Sequence, residues 1–383
     1  MVSIVNHTTK SVRLLLVISS LHGGGAERVM SDMANYWAAK GWEITLVTFN
    51  YPQEAEKYSL HTSVNREYIY YPPGINFIDK LWRNLQRVIQ LRKVVKKVAP
   101  DAVLSFLTST NVVTILATLG LSTTVIVSER TNPAQHVEEP MWNYGRWLTY
   151  RLAHRVVAQT PAIGQWLVKH TQAAIAIIPN PLRELPTLIS TREKLIVGAS
   201  RLHPVKGFDV LIRAFASTGE AVNGWKLVIV GEGSQKEALT ELIQELELGD
   251  SVTLVGWTNN VETWFARASL VVQPSRYEGF PNVVLEAMAM GATVVSTSAA
   301  DCLIVDGVNG RLVGVDDVDH TARVMLQLMY DEQQRQGLGS AAQKVRTTYA
   351  QAAIMPQWES VMLYSHHCST IKSTVHSHDA TIN

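Results

Sequence analysis

Short runs made almost wholly of apolar residues decide what this chain can become. Arg13-Leu14-Leu15-Leu16-Val17-Ile18-Ser19 shows no alternation of apolar and polar residues. At that length it reads as a strand buried on both faces, the pattern of parallel strands covered by helices. A second strand reads at Ile44–Thr48, and further ones at Ala102–Phe106, Thr124–Ser128 and Arg155–Ala158. Between the first two lie Gly23-Gly24-Gly25 and a helical stretch from Ala26 to Lys40, with Gly41 as its stop. Strand, glycine loop, helix, strand is half of a mononucleotide-binding unit. A second series opens at Lys194–Gly198 and continues as helix 207–217, strand 226–230, helix 234–246, strand 252–255, helix 261–267, strand 269–272, helix 281–290 and strand 293–296. This alternation predicts an α/β chain of two doubly wound domains, with ligands beyond the carboxyl ends of the strands. Pro179-Asn180-Pro181 and the polar stretch to Arg192 read as a linker. The expected division is 1–182 and 193–350 for the domains, and 351–366 for a closing helix. Residues 1–11 are polar and expected to be loose, and the tail 367–383, rich in Ser, Thr and His, to be disordered.

A chain of 383 residues with 46% hydrophobic and 17% charged content can fill two cores of ordinary size. A formal net charge of +1 makes no demand for nucleic acid. The two cysteines, Cys302 and Cys368, make neither a metal-ligand spacing nor a disulfide framework, so a reducing cytoplasm is the expectation. The run Val12–Ser19 is too short to span a bilayer and lacks a cleavage pattern. Any membrane contact is therefore expected to be peripheral.

The chemistry concentrates in Glu278-Gly279-Phe280-Pro281-Asn282-Val283-Val284-Leu285-Glu286, running on to Gly291. Pro281 suits the first position of a helix and Gly291 its stop. The helix between them is apolar on nearly every side, so it is buried, and Glu286 lies within it. A buried carboxylate needs a polar partner, so Glu286 should face a cleft and meet hydroxyls, amides or a cation. The amides of Asn282 and Val283 at the helix start suit an anion. Arg201 and Lys206 follow another buried strand, in a loop broken by Pro204 and Gly207, and two cations there suit a diphosphate. Carboxylates for hydroxyls, with cations and amides for phosphate, point to a sugar carried on a nucleoside diphosphate.

The E-x7-E element with its Gly-Phe-Pro spacer resembles the donor-binding signature of retaining glycosyltransferases with two Rossmann-like domains facing across a cleft (GT-B), in particular glycosyltransferase family 4 (group 1). Gly23-Gly24-Gly25-Ala26-Glu27-Arg28, Ala199-Ser200-Arg201-Leu202 with Lys206-Gly207-Phe208, Val230-Gly231-Glu232-Gly233 and Val255-Gly256-Trp257 resemble further elements of that family, in family order, over most of residues 12–360. The resemblance implies an N-terminal acceptor domain, a C-terminal nucleotide-sugar donor domain, and a last helix crossing back onto the first. It implies that Arg201 and Lys206 stabilise the leaving diphosphate, that Glu278 meets the transferred sugar and that Glu286 meets the ribose. Gly24, Gly25, Gly233, Phe280, Pro281, Asn282 and Val283 would line the donor, with Trp257 near the nucleobase. Glu129, Arg130 and, less directly, His136 are the acceptor-side candidates.

The activity so implied is transfer of a hexose or N-acetylhexosamine, from a UDP-sugar in preference, to a glycan acceptor on a lipid carrier. Polysaccharide or lipopolysaccharide biosynthesis is the setting, with no tightly bound cofactor, no metal and no nucleic acid. One departure from the family pattern is Thr297–Val305, a shorter loop without the Gly-Pro-Arg-Glu-like element of relatives. It keeps a catalytically altered binding protein in view as an alternative, beside a sugar-nucleotide epimerase or a phosphorylase. Finally, Lys80–Lys97 holds Lys80, Arg83, Arg87, Arg92, Lys93, Lys96 and Lys97 and no acid, interleaved with Trp82, Leu85, Val88 and Ile89. A basic amphipathic helix of that kind suits an anionic membrane surface on the cytoplasmic side, or a packed helix with one solvated face.

Overall fold

A computed structural model of the chain describes residues 11–50, 56–72, 74, 76–136, 138–186, 191–219 and 223–363. The expected loose start up to residue 10, part of the linker and the tail from 364 lie outside the described residues.

Two parallel sheets form, one from each half. The first holds β1 (Arg13–Ile18), β2 (Glu43–Thr48), β3 (Asn65–Tyr68), β4 (Ala102–Phe106), β5 (Thr124–Ser128), β6 (Arg155–Ala158) and β7 (Ile175–Ile177), in the order β3-β2-β1-β4-β5-β6-β7. The second holds β8 (Glu193–Ala199), β9 (Lys226–Val230), β10 (Val252–Gly256), β11 (Ala268–Gln273), β12 (Thr293–Thr297) and β13 (Arg311–Val313), ordered β10-β9-β8-β11-β12-β13. Strand order reverses between β1 and β4 and again between β8 and β11, and ligands gather at such switch points. The glycine loop follows β1, Arg201 and Lys206 follow β8, and Glu278 follows β11.

The interior strands lie where the apolar runs place them. Leu14 through Ile18 are fully buried, each large side chain contributing roughly 1.5–3 kcal/mol. The strands β3, β7 and β13 escape the sequence reading. All three are edge strands of three or four residues, and only Val313 among their residues is buried. A strand with one neighbour needs no continuous apolar run.

Helix Gln351–Leu363 packs onto the first half. Its Ile354, Met355, Trp358 and Met362 join the first core with Leu14, Leu16 and Phe106. The chain passes between the halves twice, side by side: the Leu182 amide donates to the Tyr349 carbonyl at 2.7 Å.

Candidate active site

On the second-half wall, Lys206 ends a short 3-10 turn, Pro204–Lys206, and the next residue, Gly207, lies at φ +65°. Lys206 Nζ meets Glu278 Oε1 at 2.6 Å, and Ser275 Oγ donates to the same oxygen at 2.7 Å. The cation expected at the diphosphate and the carboxylate expected at the sugar therefore hold each other. Arg201 is exposed in the same segment after β8 that leads to Lys206. The apolar helix runs Asn282–Ala289, with Pro281 at its N-cap instead of its first position. The Asn282 amide turns back to the Phe280 carbonyl at 3.0 Å, so of the two amides expected to receive an anion this one is already used. The Phe280 ring packs into the core against Tyr349 at 5.9 Å, leaving only its backbone for the cleft.

Glu286 is buried, as the apolar helix requires, and both its oxygens are engaged. Oε1 accepts from Arg28 Nη2 across the cleft, and Oε2 accepts from Arg183 Nε and Nη2 at 3.3 Å each. Arg183 also reaches Glu262 Oε2 at 2.7 Å. Asp32, one helical turn after Arg28, adds a third carboxylate, and burial pushes its pKa from 3.8 up to about 6, against the pull of Arg28. A raised carboxyl pKa favours the fold below pH 3.8, and that advantage is lost as pH climbs through about 6. Asp32→Asn should therefore stabilise the protein at pH 8 by roughly 3 kcal/mol, with the gain gone near pH 4. Urea unfolding at the two pH values measures this; an equal difference at both would remove the assigned burial cost.

On the first-half wall, the amides of Gly23 and Gly24 both donate to Glu27 Oε2 at 2.7 Å. The expected ligand approach at this loop thus falls to Gly25, where a Cβ would stand 3.3 Å from Asn282 Nδ2 across the cleft. A Cβ on Gly279 would collide with the Arg130 carbonyl. Lys57 lies over the Trp257 ring at 4.7 Å and within 3.5 Å of Glu232, next to Gly233. The walls also join through Asn180, which donates to Asn282 Oδ1 at 2.7 Å and accepts from Arg130 Nη2 at 2.7 Å.

The acceptor-side candidates separate. Glu129 is fully buried, and its carboxylate takes Thr108 Oγ1 at 2.9 Å, Tyr150 Oη at 2.9 Å and Arg146 Nη1 at 3.2 Å. It points into the domain and reaches the cleft only through those partners. Arg130 is buried over the Phe106 ring at 4.0 Å, and burial lowers its pKa to about 9. His136 does face the cleft: its Nδ1 lies 3.2 Å from the hydroxyl of Tyr277, the residue before Glu278.

The chain contains one Asp-x-Asp triplet, Asp317-Val318-Asp319. Asp317 caps helix Val318–Tyr330, accepting from the His320 amide at 2.8 Å, which gives the triplet a structural role. Among the described residues no three His, Cys, Asp or Glu side chains gather as metal ligands. In the short loop after β12, Ala300, Leu303 and Ile304 are buried, and burial raises the Cys302 thiol to about 12.

Two parallel α/β domains with carboxylates, amides and cations converging from both switch points define the GT-B class of sugar transferases. Residues 23–183 match Glycosyltransferase Family 4 and residues 186–345 match Glycosyl transferases group 1. The chain belongs to this family and is a glycosyltransferase. It is 24% identical to a Campylobacter jejuni GalNAc-alpha-(1->4)-GalNAc-alpha-(1->3)-diNAcBac-PP-undecaprenol alpha-1,4-N-acetyl-D-galactosaminyltransferase, over 91% of this chain and 97% of that protein. It is 32% identical to an exopolysaccharide phosphotransferase of Streptomyces coelicolor over 71% of this chain, a match spanning 29% of that longer protein. Among solved structures, Anabaena Alr3699/HepE in complex with UDP superposes with a TM-score of 0.75 at 20% identity, covering 91% of this chain and 99% of that one.

Arg28, Asp32, Lys57, Asn180, Arg183 and Tyr277 are cleft residues that sequence reasoning assigned no role. For the two arginines the signal was Glu286, a carboxylate in an apolar helix that required a cation without naming it; no local pattern marked Asp32 or Asn180.

Proposed function

We propose that the protein is a retaining transferase that moves a hexose or N-acetylhexosamine from a UDP-sugar to a lipid-linked glycan acceptor, at the cytoplasmic face of a membrane. The observation that carries this reading is the convergence of Glu286, Glu278, Lys206 and Arg201 at the carboxyl edge of the second sheet, facing the glycine loop. UDP is favoured by the ligand of the Anabaena neighbour, and a lipid carrier by the name of the Campylobacter relative.

In the proposed reaction the ribose hydroxyls take the place of Arg28 on Glu286, which turns that guanidinium towards the diphosphate. Lys206 leaves Glu278 for the leaving group, and Glu278 turns to the sugar hydroxyls. The bond from the anomeric carbon to the diphosphate breaks while the acceptor oxygen bonds to the same face. The acceptor proton passes to the departing phosphate oxygen. Charge stabilisation by Arg201 and Lys206 is the main catalytic term, in place of a bound metal. Incubation with UDP- and GDP-sugars in a chelator should release nucleoside diphosphate when glycan acceptor is present. Nucleotide binding without release from any donor would overturn the reading.

Peripheral membrane contact is part of the proposal, in a form different from a purely basic face. In helix Phe77–Val98 several cations have partners inside the protein: Arg83 with Asp79, Arg92 with the Ala117 and Leu119 carbonyls, and Lys97 with Glu67. What the helix exposes is an apolar stripe of Ile78, Leu81, Trp82, Leu85 and Ile89, together with the exposed Lys80, Lys93, Lys96 and Lys97. No helix among the described residues is long and apolar enough to cross a membrane. Anionic vesicles should sediment the protein, and Trp82→Ser with Leu85→Ser should leave it in the supernatant. A variant that sediments like the parent would assign the stripe no membrane role.

A further inference from the structure

A cavity of about 360 Å³ lies on the outer side of the cleft, between helices Pro140–Thr149 and Pro161–Thr171. His136, Asn143, Arg146, Trp147, Trp166 and His170 line it. We propose that this groove is the acceptor subsite, and that it takes a neutral saccharide stacked on Trp147. The inference rests on the transferase reading above and adds where the acceptor glycan lies.

The lining has the chemistry of carbohydrate recognition. Trp147 is 56% exposed, so its indole offers a flat apolar face to the CH side of a pyranose ring. Trp166 is braced from its own helix by His170, ring to ring at 4.1 Å, and the Arg146 guanidinium lies 5.1 Å from its centroid. Asn143 is used within the wall, its Oδ1 by Arg146 and its Nδ2 by the Glu138 carbonyl at 3.1 Å, and His170 Nδ1 meets the Trp166 carbonyl at 2.7 Å. The sugar hydroxyls therefore fall to His170 Nε2 and to His136 Nε2, which lies 3.5 Å from Glu138 Oε1.

Charge decides against a phosphate occupant. Arg146 is the lining cation, and it is already balanced: Nη1 meets the buried Glu129 carboxylate at 3.2 Å and Nη2 meets Asn143 Oδ1. Glu129 thus acts behind the groove as a positioning residue, holding Arg146 and, through Tyr150 at 2.9 Å, the end of the same helix.

Continuity with the reaction centre sets the direction. At the inner end His136 touches Tyr277, which precedes Glu278. At the outer end Trp147 adjoins Tyr144, ring centroids 5.6 Å apart, on a face that also exposes Leu148. A glycan lying here would place one terminus at the donor and lead its carrier end outwards.

The test uses the full chain with UDP present and two soluble probes, N,N′-diacetylchitobiose and maltotriose, followed by saturation-transfer NMR and titration. At least one probe should bind the parent. Trp147→Ala should weaken it about tenfold, Trp147→Phe should restore most of the affinity, and Val168→Ala, exposed on the second helix outside the groove, should change nothing. UDP affinity should be the same in all of them. Failure of both probes to bind the UDP-loaded parent, or unchanged affinity in Trp147→Ala, overturns the groove assignment and leaves the transferase reading standing. A parent that binds no UDP removes both.

Discussion

Glu286→Ala is expected to lower UDP affinity by about a hundredfold, the loss of two hydrogen bonds to a charged acceptor. It should also cost stability. The carboxylate side chain is 4% exposed and holds Arg28 and Arg183, themselves 22% and 19% exposed. Removing one partner of a fully buried pair costs about 3–5 kcal/mol, and the residual exposure of these arginines puts the expected loss at roughly 2–3 kcal/mol. Glu286→Gln keeps the shape and separates the effects, restoring most of the stability while UDP binding stays weak. Glu278→Ala is expected to bind UDP within about threefold of the parent, because a ligand without its sugar leaves Glu278 unused, while sugar transfer slows. Calorimetry with UDP alone distinguishes the two carboxylates. Parent-like affinity in Glu286→Ala would withdraw its ribose role.

Lys206→Ala should reduce the turnover number by roughly 10²–10³, the scale for removing one group that stabilises charge developing in a transition state. Arg201→Ala should act in the same direction. The Michaelis constant for the donor should move far less, since the interaction strengthens as the diphosphate departs. Both variants and the parent should be indifferent to a chelator. Loss of parent activity in EDTA, restored by manganese, would transfer the charge-stabilising role from these side chains to a metal.

What the sequence made legible followed from burial. β4, β5, β6 and β9 stand at the expected residues because an interior strand is buried along nearly its whole length and is therefore mostly apolar. The edge strands carry no such constraint, and β3 reads Asn-Arg-Glu-Tyr. Glu278 and Glu286 were readable because a carboxylate beside or within an apolar helix needs a polar reason. Their partners were not: Arg28 lies 258 residues before Glu286, and pairing over that distance has no local pattern. Glu129 shows the complementary difficulty. The end of a strand marks the ligand edge of a sheet, yet it leaves open whether a side chain turns to the cleft or to the neighbouring helices. Here Thr108, Arg146 and Tyr150 draw it inwards.

The closing helix Gln351–Leu363 has a bearing on how the protein is made. Trp358, fully buried, packs beside Phe106 at 6.1 Å between ring centroids. The first sheet leaves the ribosome before the second, at about 5–20 residues per second, yet its core lacks Trp358, Met355 and Ile354 until the whole second sheet has been made. The domain begun before its neighbour is thus completed after it. Until then its unfilled seam is a surface that chaperones can occupy, and a chain stalled or cleaved before residue 351 would keep that seam open even with its cleft residues all present.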